Sequence, residues 1–279
     1  MTLTRMALTA AEQVPAAVLR PLAQAGGRLA ALHPPRGLRQ WQLNVATMTG
    51  QQPSRQQTSA AAASWARNLA ESAQLGRWTP EQVLGSVRIS PADRERLLGL
   101  HATTGVVAAL PHMGSWDLAG AWACLNGLPV STVAEEIPEF DYFVGVRQAL
   151  GMRVYGLRDP RVVARLAADR RAGRLVCLLS DRYFGRGGVP VRWPTATGPV
   201  DGRLPGGAAH LALSTGASLL GIASHYEPDG MRLVVSQPLR GQSVEAMVQQ
   251  LADFFAGQIR NNPTDWHMMQ PLFPGRAAG

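Results

Sequence analysis

The chain has 279 residues, 46% of them hydrophobic and 16% charged, a balance that is typical of a globular protein with a large core and excludes a disordered chain. Its longest apolar runs are shorter than the ~18 residues of a membrane-spanning helix, and we expect neither such a helix nor a cleaved secretory signal. The net charge is +8, and because its arginines form no compact stripe and accompany no nucleic-acid-binding motif, the charge favours phosphate-bearing ligands or an anionic membrane over nucleic acid.

The N-terminal segment, residues 1–33, is rich in alanine and leucine. It carries Arg5, Arg20 and Arg28 between apolar positions. A helix of this composition can lie along a membrane surface, with its arginines near the lipid headgroups. The same pattern also suits a helix that packs on the domain, and the sequence leaves both possibilities open.

Residues 34–100 are predicted to be helical, and residues 101–273 to form the α/β core of a single domain that spans 1–279. In the core, apolar runs typical of buried strands alternate with segments typical of helices. This order implies a central, mainly parallel sheet with helices on both faces. The predicted helices cover 38–50, 58–76, 139–150, 160–172 and 208–215, with others that start after Ser90, Ser115 and Ser243; the predicted strands cover 105–110, 129–133, 152–156, 175–179, 189–193, 217–225 and 231–237, and 194–207 is a polar connection.

A histidine follows the first strand of this core. The run 105–110 ends at Pro111, His112 comes next, and Ser115 is a predicted N-cap of the following helix. The carboxyl edge of an open α/β sheet is where ligands bind. An imidazole at that edge can take a proton from a hydroxyl, and Asp117 in the first helical turn can hold its other ring nitrogen. A hydrogen-bonded structural histidine is an equal alternative, whereas metal binding is disfavoured because no other His or Cys lies near in sequence.

Other polar residues follow neighbouring strands at the same predicted edge. Glu135 comes after the strand at 129–133, and Asp181 and Arg182 come after the strand at 175–179. Because parallel strands end at one edge of a sheet, we expect His112, Glu135 and Asp181 to meet in one crevice. Asp181 is therefore a second candidate for the carboxylate that orients His112.

Five segments between residues 36 and 273 resemble, in the expected order, those of the lipid A biosynthesis acyltransferase family. The segment LPHMGSWDLAGAW, from Leu110 to Trp122, resembles the family's H-x4-D motif, in wording most similar to its actinobacterial phosphatidylinositol mannoside acyltransferases. The other segments are RGLRQWQLN (36–44), FVGVRQALG (143–151), SDRYFGRGGVPV (180–191) and DWHMMQPLF (265–273).

The resemblance implies a glycerolipid-acyltransferase-like fold and transfer of a fatty acyl chain from acyl-CoA, as co-substrate, to a mannose hydroxyl of a phosphatidylinositol mannoside. The protein would act peripherally, at the anionic cytoplasmic face of the cell membrane. His112 would deprotonate the hydroxyl, and no acyl-enzyme is expected because Ser115 does not lie in a nucleophile elbow. The predicted catalytic residues are His112, Asp117 and Asp181, the predicted substrate-binding residues are Trp116, Glu135, Arg147 and Arg182, and neither a metal nor a cofactor is expected.

The chain departs from the family's pattern at one place. A second carboxylate is expected there in a Gly-Val-Glu-Val-like stretch, where this chain has Gly188-Val-Pro-Val191. Asp117 and Asp181 thus both remain as partners for His112, and Asp117 is expected to matter more. Two alternative functions also remain, namely acyl transfer from an acyl carrier protein to another glycolipid, and lipid binding by a catalytically degenerate homologue.

Overall fold

The computed structural model describes residues 12–14, 16–183, 188–275, 277 and 278 of the chain. The helices in these residues are α1 (Ala16–Ala30), α2 (Arg36–Thr49), α3 (Arg55–Gln74), α4 (Pro80–Gly85), α5 (Pro91–Thr103), α6 (Trp116–Leu125), α7 (Phe140–Ala149), α8 (Val162–Arg171), α9 (Gly207–Thr215) and α10 (Val244–Asn261), with 3-10 turns at Leu75–Arg77 and Pro263–Asp265. The strands are β1 (Val87–Ile89), β2 (Val106–Leu110), β3 (Val130–Ala134), β4 (Arg153–Gly156), β5 (Leu175–Leu179), β6 (Val189–Thr195), β7 (Gly198–Leu204), β8 (Ser218–Glu227) and β9 (Gly230–Val235).

Seven strands within the described residues form one sheet, in the order β1-β9-β8-β2-β5-β3-β4. Strands β8, β2, β5, β3 and β4 are parallel to one another, whereas β9 pairs antiparallel with β8 and carries β1 beside it in parallel. Strands β6 and β7 form a separate antiparallel hairpin. The predicted α/β fold with a mainly parallel sheet flanked by helices is confirmed.

Strand β2 lies in the middle of the sheet, and all of its residues are buried. Successive side chains of a strand point to opposite faces. Val107 and Ala109 belong to the core that contains Phe255 of α10, whereas the alternate residues belong to a second core that contains Trp122 of α6. Because both faces are covered, every position of β2 must be apolar, which explains the unbroken apolar run in the sequence.

Helix α6 begins directly beyond the end of β2. The Ser115 hydroxyl accepts a hydrogen bond from the Leu118 N–H at 3.3 Å and so satisfies one of the amides that a helix N-terminus leaves unpaired. The helix then covers one face of the sheet with an apolar side that includes Leu118 and Trp122. This strand–turn–helix unit places His112 at the carboxyl edge of the sheet, as predicted.

Three elements of the structure, α4, β1 and β7, are not predicted from the sequence. Strand β1 has three residues and lies inside the segment 34–100, for which only helices are predicted. Strand β7 lies inside 194–207, which is predicted to be a polar connection. Every second residue of β7 is exposed over most of its length, so the strand has no apolar run, and its position is set by pairing with β6 in the hairpin. Short or half-exposed strands of this kind depend on their partner strand rather than on local sequence.

The membrane-surface prediction concerns residues 1–33. Residues 1–11, which include Arg5, and the side chain of Arg20 lie outside the described part of the chain. The described part includes helix α1, which packs on α3. At Gly27 a Cβ atom would lie 2.5 Å from the Ser59 carbonyl oxygen, so only glycine permits this approach. Among the helices that the structure describes, none combines the length and apolar character needed to cross a bilayer.

Candidate active site

His112 and Asp181 lie side by side at the carboxyl edge of the sheet. Leu110 of β2 is in register with Leu179 of β5, and the Ser180 N–H continues the ladder by donating to the Leu110 carbonyl at 2.7 Å. Each of the two site residues lies two positions beyond its strand, so the register brings them together. Nδ1 of His112 is 2.5 Å from Oδ1 of Asp181, and the backbone N–H of His112 donates to Oδ2 at 2.9 Å.

Asp181 is fully buried and is held in its ionised form. Burial acts to raise the pKa of the Asp181 carboxyl, but the neighbouring His112 and the hydrogen bonds from His112 and Trp266 outweigh it and place the pKa below its ordinary value. An ionised Asp181 accepts the proton of Nδ1, which fixes the tautomer of the ring. The Nε2 atom is then the nitrogen of His112 that is free to accept a proton.

Asp117, the expected partner of His112, faces another way. Its carboxylate accepts hydrogen bonds from Nε of Arg147 at 2.6 Å and from the Ser72 hydroxyl at 2.8 Å. Asp117 is the second residue of α6, and its side chain is directed toward α7 and α3 rather than back to the turn that carries His112. The expectation that Asp117 orients the imidazole is therefore wrong, and Asp181 occupies that position.

The position of the expected downstream carboxylate is occupied by Pro190 and lies in the β6–β7 hairpin. Pro190 lies in β6, opposite Arg203 of β7, and its side chain is exposed. No carboxylate is needed there, since Asp181 already occupies the Nδ1 side of His112.

Two tryptophans and a second histidine surround His112. The Trp116 ring meets the His112 ring edge to face at 5.6 Å, and Trp65 of α3 lies 6.4 Å from Trp116 and 5.2 Å from His267. Trp65 was not predicted as a site residue, and a tryptophan on a helix 47 residues before His112 gives no local signal of this role. The four rings form one aromatic wall beside the catalytic candidate.

His267 is a neutral member of this wall. Its Nε2 lies 3.0 Å from the Ser64 hydroxyl, which is also 3.0 Å from Oδ1 of Asp265. The Ser64 hydroxyl donates its single proton to Oδ1 of Asp265, whose pKa burial raises above its ordinary value, and it therefore accepts from Nε2 of His267. Burial and the nearby His112 lower the pKa of His267 to about 3, so His267 does not compete for a proton near neutral pH.

Glu135 and Arg182 form an ion pair at the same edge of the sheet, as the topology predicted. Both side chains remain partly exposed, and both line the cavity that also contains His112. We call His112, Glu135 and Arg182 the polar edge of this cavity. Arg147 lines the cavity as well, but its guanidinium is bound to Asp117.

The cavity has a volume of about 620 Å³, and most of its wall is apolar. One part of it lies between α6 and the sheet, on the face to which Leu110 points. The wall there draws on five neighbouring strands and two helices, namely Leu233 of β9, Ile222 of β8, Leu110 of β2, Leu179 of β5, Val130 of β3, Leu97 of α5, and Ala119 and Trp122 of α6. The arrangement is a proton-accepting pair at one side of a largely apolar chamber.

The sequence of the chain is similar to those of known acyltransferases. The family model described as bacterial lipid A biosynthesis acyltransferase matches residues 2–274. The phosphatidylinositol mannoside acyltransferase of Mycolicibacterium smegmatis is 42% identical over 183 residues, 62% of this chain and 58% of the relative. The protein of the same name from Mycobacterium tuberculosis is 41% identical over 184 residues, 62% of this chain and 55% of the relative. The matched region thus spans less than two thirds of each relative's length.

Proposed function

Because the chain belongs to the bacterial lipid A biosynthesis acyltransferase family, we propose that it transfers a fatty acyl chain from acyl-CoA to a mannose hydroxyl of a phosphatidylinositol mannoside. The observation that carries the proposal is the pair of His112 and the buried Asp181 beside an apolar cavity of about 620 Å³. A base can activate a hydroxyl, and an apolar chamber can hold an alkyl chain, so the site suits both reactants of acyl transfer. The names of the two mycobacterial relatives support the choice of acceptor.

The reaction follows from the tautomer of His112. With Nδ1–H bound to Asp181, Nε2 accepts the proton of the sugar hydroxyl while the oxygen attacks the thioester carbonyl carbon. The tetrahedral intermediate collapses, the C–S bond breaks, and the thiol of CoA leaves with the proton returned by the imidazolium. Asp181 stays ionised throughout and stabilises the transient positive charge on the ring.

The apolar part of the cavity would hold the acyl chain. It passes beneath α6 across β9, β8, β2, β5 and β3. From β2, which His112 follows, two steps between strands of ~4.8 Å lead to either end of this span, a path of roughly 10 Å. With C–C bonds of about 1.5 Å in a zigzag, an extended segment of roughly eight carbons covers this distance. The thioester carbon then lies at the polar edge, next to His112.

The acceptor would bind at the polar edge. Glu135 can accept hydrogen bonds from sugar hydroxyls, and Arg182 can bind a phosphate group of either substrate once it exchanges its contact with Glu135. Trp116 presents an aromatic ring beside His112, where a sugar ring can pack. Arg147, held by Asp117, would support the cavity wall.

A peripheral membrane site would bring the protein to its lipid acceptor. Helix α1 and the turn after it expose apolar side chains at a spacing of three to four residues: Val18, Leu22, Ala25, Leu29 and Leu32. This spacing places them on one side of the helix, where they can enter a bilayer interface. Arg28 and the net charge of +8 suit the anionic cytoplasmic face of the membrane.

The proposal is tested with the purified chain, a phosphatidylinositol mannoside and either acyl-CoA or an acyl carrier protein loaded with the same chain. Mass spectrometry of the lipids is expected to show a product heavier by one acyl group, formed faster from acyl-CoA. Faster transfer from the carrier protein would assign the alternative donor. Binding of the lipid without any product from either donor would contradict acyl transfer and support the lipid-binding alternative.

A further inference from the structure

The C-terminal residues Asp265, Trp266 and His267, which we call the strap, run antiparallel to the turn that carries His112. Met113 and Trp266 form a β-bridge, the Gly114 N–H donates to the Asp265 carbonyl at 3.0 Å, and the His267 N–H donates to the His112 carbonyl at 2.7 Å. The strap therefore binds the backbone of the turn that carries His112, although Trp266 follows its partner Met113 by 153 positions in the chain.

The turn that carries His112 also packs closely against β8. Gly114 has a φ of +56°, and a Cβ atom there would lie 2.7 Å from the Ser224 hydroxyl oxygen. That hydroxyl donates to the Met113 carbonyl at 2.5 Å. The turn is thus held between β8 on one side and the strap on the other, and only glycine permits this approach.

Trp266 connects the strap to the carboxylate of the pair. Its side chain is fully buried, and its indole N–H donates to Oδ2 of Asp181 at 2.9 Å. Oδ2 also accepts the backbone N–H of His112, and Oδ1 faces Nδ1 of the imidazole. Two donors on Oδ2 fix the rotation of the carboxylate, so that Oδ1 remains for the ring.

Two other tryptophans provide a comparison. Trp41 and Trp193 are also fully buried, but within the described part of the chain neither indole N–H has a hydrogen-bond acceptor. The core of this protein therefore accepts a buried indole without a partner. The contact of Trp266 with Asp181 is a specific feature of the site rather than a general requirement of packing.

We propose that Trp266 is a positioning residue of the His112–Asp181 pair, an inference that rests on the proposed function. Its indole N–H holds Oδ2 in place and leaves Oδ1 aligned with Nδ1 of His112. Without this donor the carboxylate can rotate, and its charge is less stabilised. The carboxylate then attracts a proton more strongly, and the pair takes up its proton at a higher pH.

The test compares Trp266→Phe with Trp193→Phe, which removes an equally buried indole whose N–H has no partner among the residues that the structure describes. For Trp266→Phe we expect kcat to fall by about 10- to 100-fold, since a hydrogen bond to a charged group is lost, with little change in KM. The acid limb of the kcat/KM profile is expected to move up by about one pH unit. Trp193→Phe is expected to keep the wild-type profile and a rate within a factor of two to three.

A double-mutant cycle with Asp181→Asn separates positioning from packing. If Trp266 acts through Asp181, Trp266→Phe has little further effect on kcat in the Asp181→Asn background. An unchanged pH profile in Trp266→Phe, or an equal loss of rate in both backgrounds, would overturn the proposal. If Trp266→Phe does not fold, Trp266→Met, which also lacks the N–H, replaces it in the same cycle.

A titration of the His112 ring resonances by NMR gives a readout that needs no substrate. Trp266→Phe is expected to raise the pH at which these resonances shift, whereas Trp193→Phe leaves it unchanged. If the NMR shift is seen but the wild type transfers no acyl chain, the proposed function is contradicted and the role of Trp266 is not. If the wild type transfers an acyl chain in a reaction that depends on His112 but the NMR shift is absent, the role of Trp266 is contradicted and the proposed function is not.

Discussion

At the scale of single residues, Asp181 is a buried carboxylate whose charge is stabilised by hydrogen-bond donors. Each of its oxygens accepts a hydrogen bond from His112, and Oδ2 accepts one from Trp266 as well. A buried carboxylate without such donors would be neutral, and it could not stabilise an imidazolium. The environment of Asp181 therefore keeps a negative charge beside the His112 ring, which favours proton uptake by the ring. Asp117, in contrast, forms an ion pair with Arg147.

We expect Asp181→Asn and Asp117→Asn to have opposite profiles. Asp181→Asn removes the acceptor that fixes the tautomer of His112, so kcat is expected to fall by about 10²- to 10⁴-fold while the protein stays folded. Asp117→Asn breaks a buried ion pair, so it is expected to lower the free energy of unfolding by roughly 2–4 kcal/mol with a smaller loss of kcat. Steady-state kinetics and urea unfolding of both variants measure these effects. A greater loss of kcat in Asp117→Asn would contradict the assignment.

His267 makes stability depend on pH in a defined direction. Its pKa is lowered from 6.5 to about 3 in the folded state, so between these values the unfolded chain binds the additional proton and stability falls as the pH falls. This effect amounts to about 2 kcal/mol between pH 7.5 and pH 5. Urea unfolding at the two pH values is expected to show a smaller loss for His267→Gln than for the wild type. The exposed His33, replaced by Gln, serves as the control, and equal losses in all three proteins would count against this account.

At the scale of elements, α1 combines a packed side with an exposed apolar side. Gly27 lies against α3, while Leu22 and Leu29 are 59% and 69% exposed. Exposed leucines on one side of a helix mark an interaction surface more often than scattered ones do. Because the same helix carries Arg28, an anionic bilayer is the partner that fits both features.

The double variant Leu22→Ser/Leu29→Ser is expected to weaken binding to vesicles that contain phosphatidylinositol by about tenfold or more, since two partly inserted leucines are lost. Vesicle sedimentation measures the effect. The matched control is Leu84→Ser/Leu125→Ser, which changes two exposed leucines outside α1. Binding is also expected to weaken with added salt, because the attraction is partly electrostatic. If the two double variants bind equally well, α1 is not the membrane contact.

Much of the fold could be predicted because its central strands are buried on both faces. The observed β5, Leu175–Leu179, has its predicted bounds, and β2 differs by one residue. The edge strand β1 and the hairpin strand β7 could not be predicted, since pairing rather than composition determines them. The same reason applies to the site: proximity in sequence favoured Asp117, but the register of β2 and β5 places Asp181, 69 positions away, on His112.

At the scale of the whole molecule, the sheet organises the proposed reaction. Its carboxyl edge carries the polar edge of the cavity, and the apolar chamber extends from there beneath α6. The strap ties this edge to α3 through Ser64, and α1 packs on the same α3. The proposed membrane contact, the aromatic wall and the strap thus share one supporting helix, an arrangement that would keep a lipid acceptor close to His112.

The most direct test is the rate of acyl transfer by His112→Ala, measured by mass spectrometry of acylated phosphatidylinositol mannoside under conditions in which the wild type turns over. Loss of a general base is expected to lower kcat/KM by about 10²- to 10⁴-fold. Circular dichroism and vesicle binding are expected to match the wild type, because the His112 side chain lies at the cavity rather than in the core. A folded His112→Ala protein that transfers the acyl chain at the wild-type rate would contradict the account.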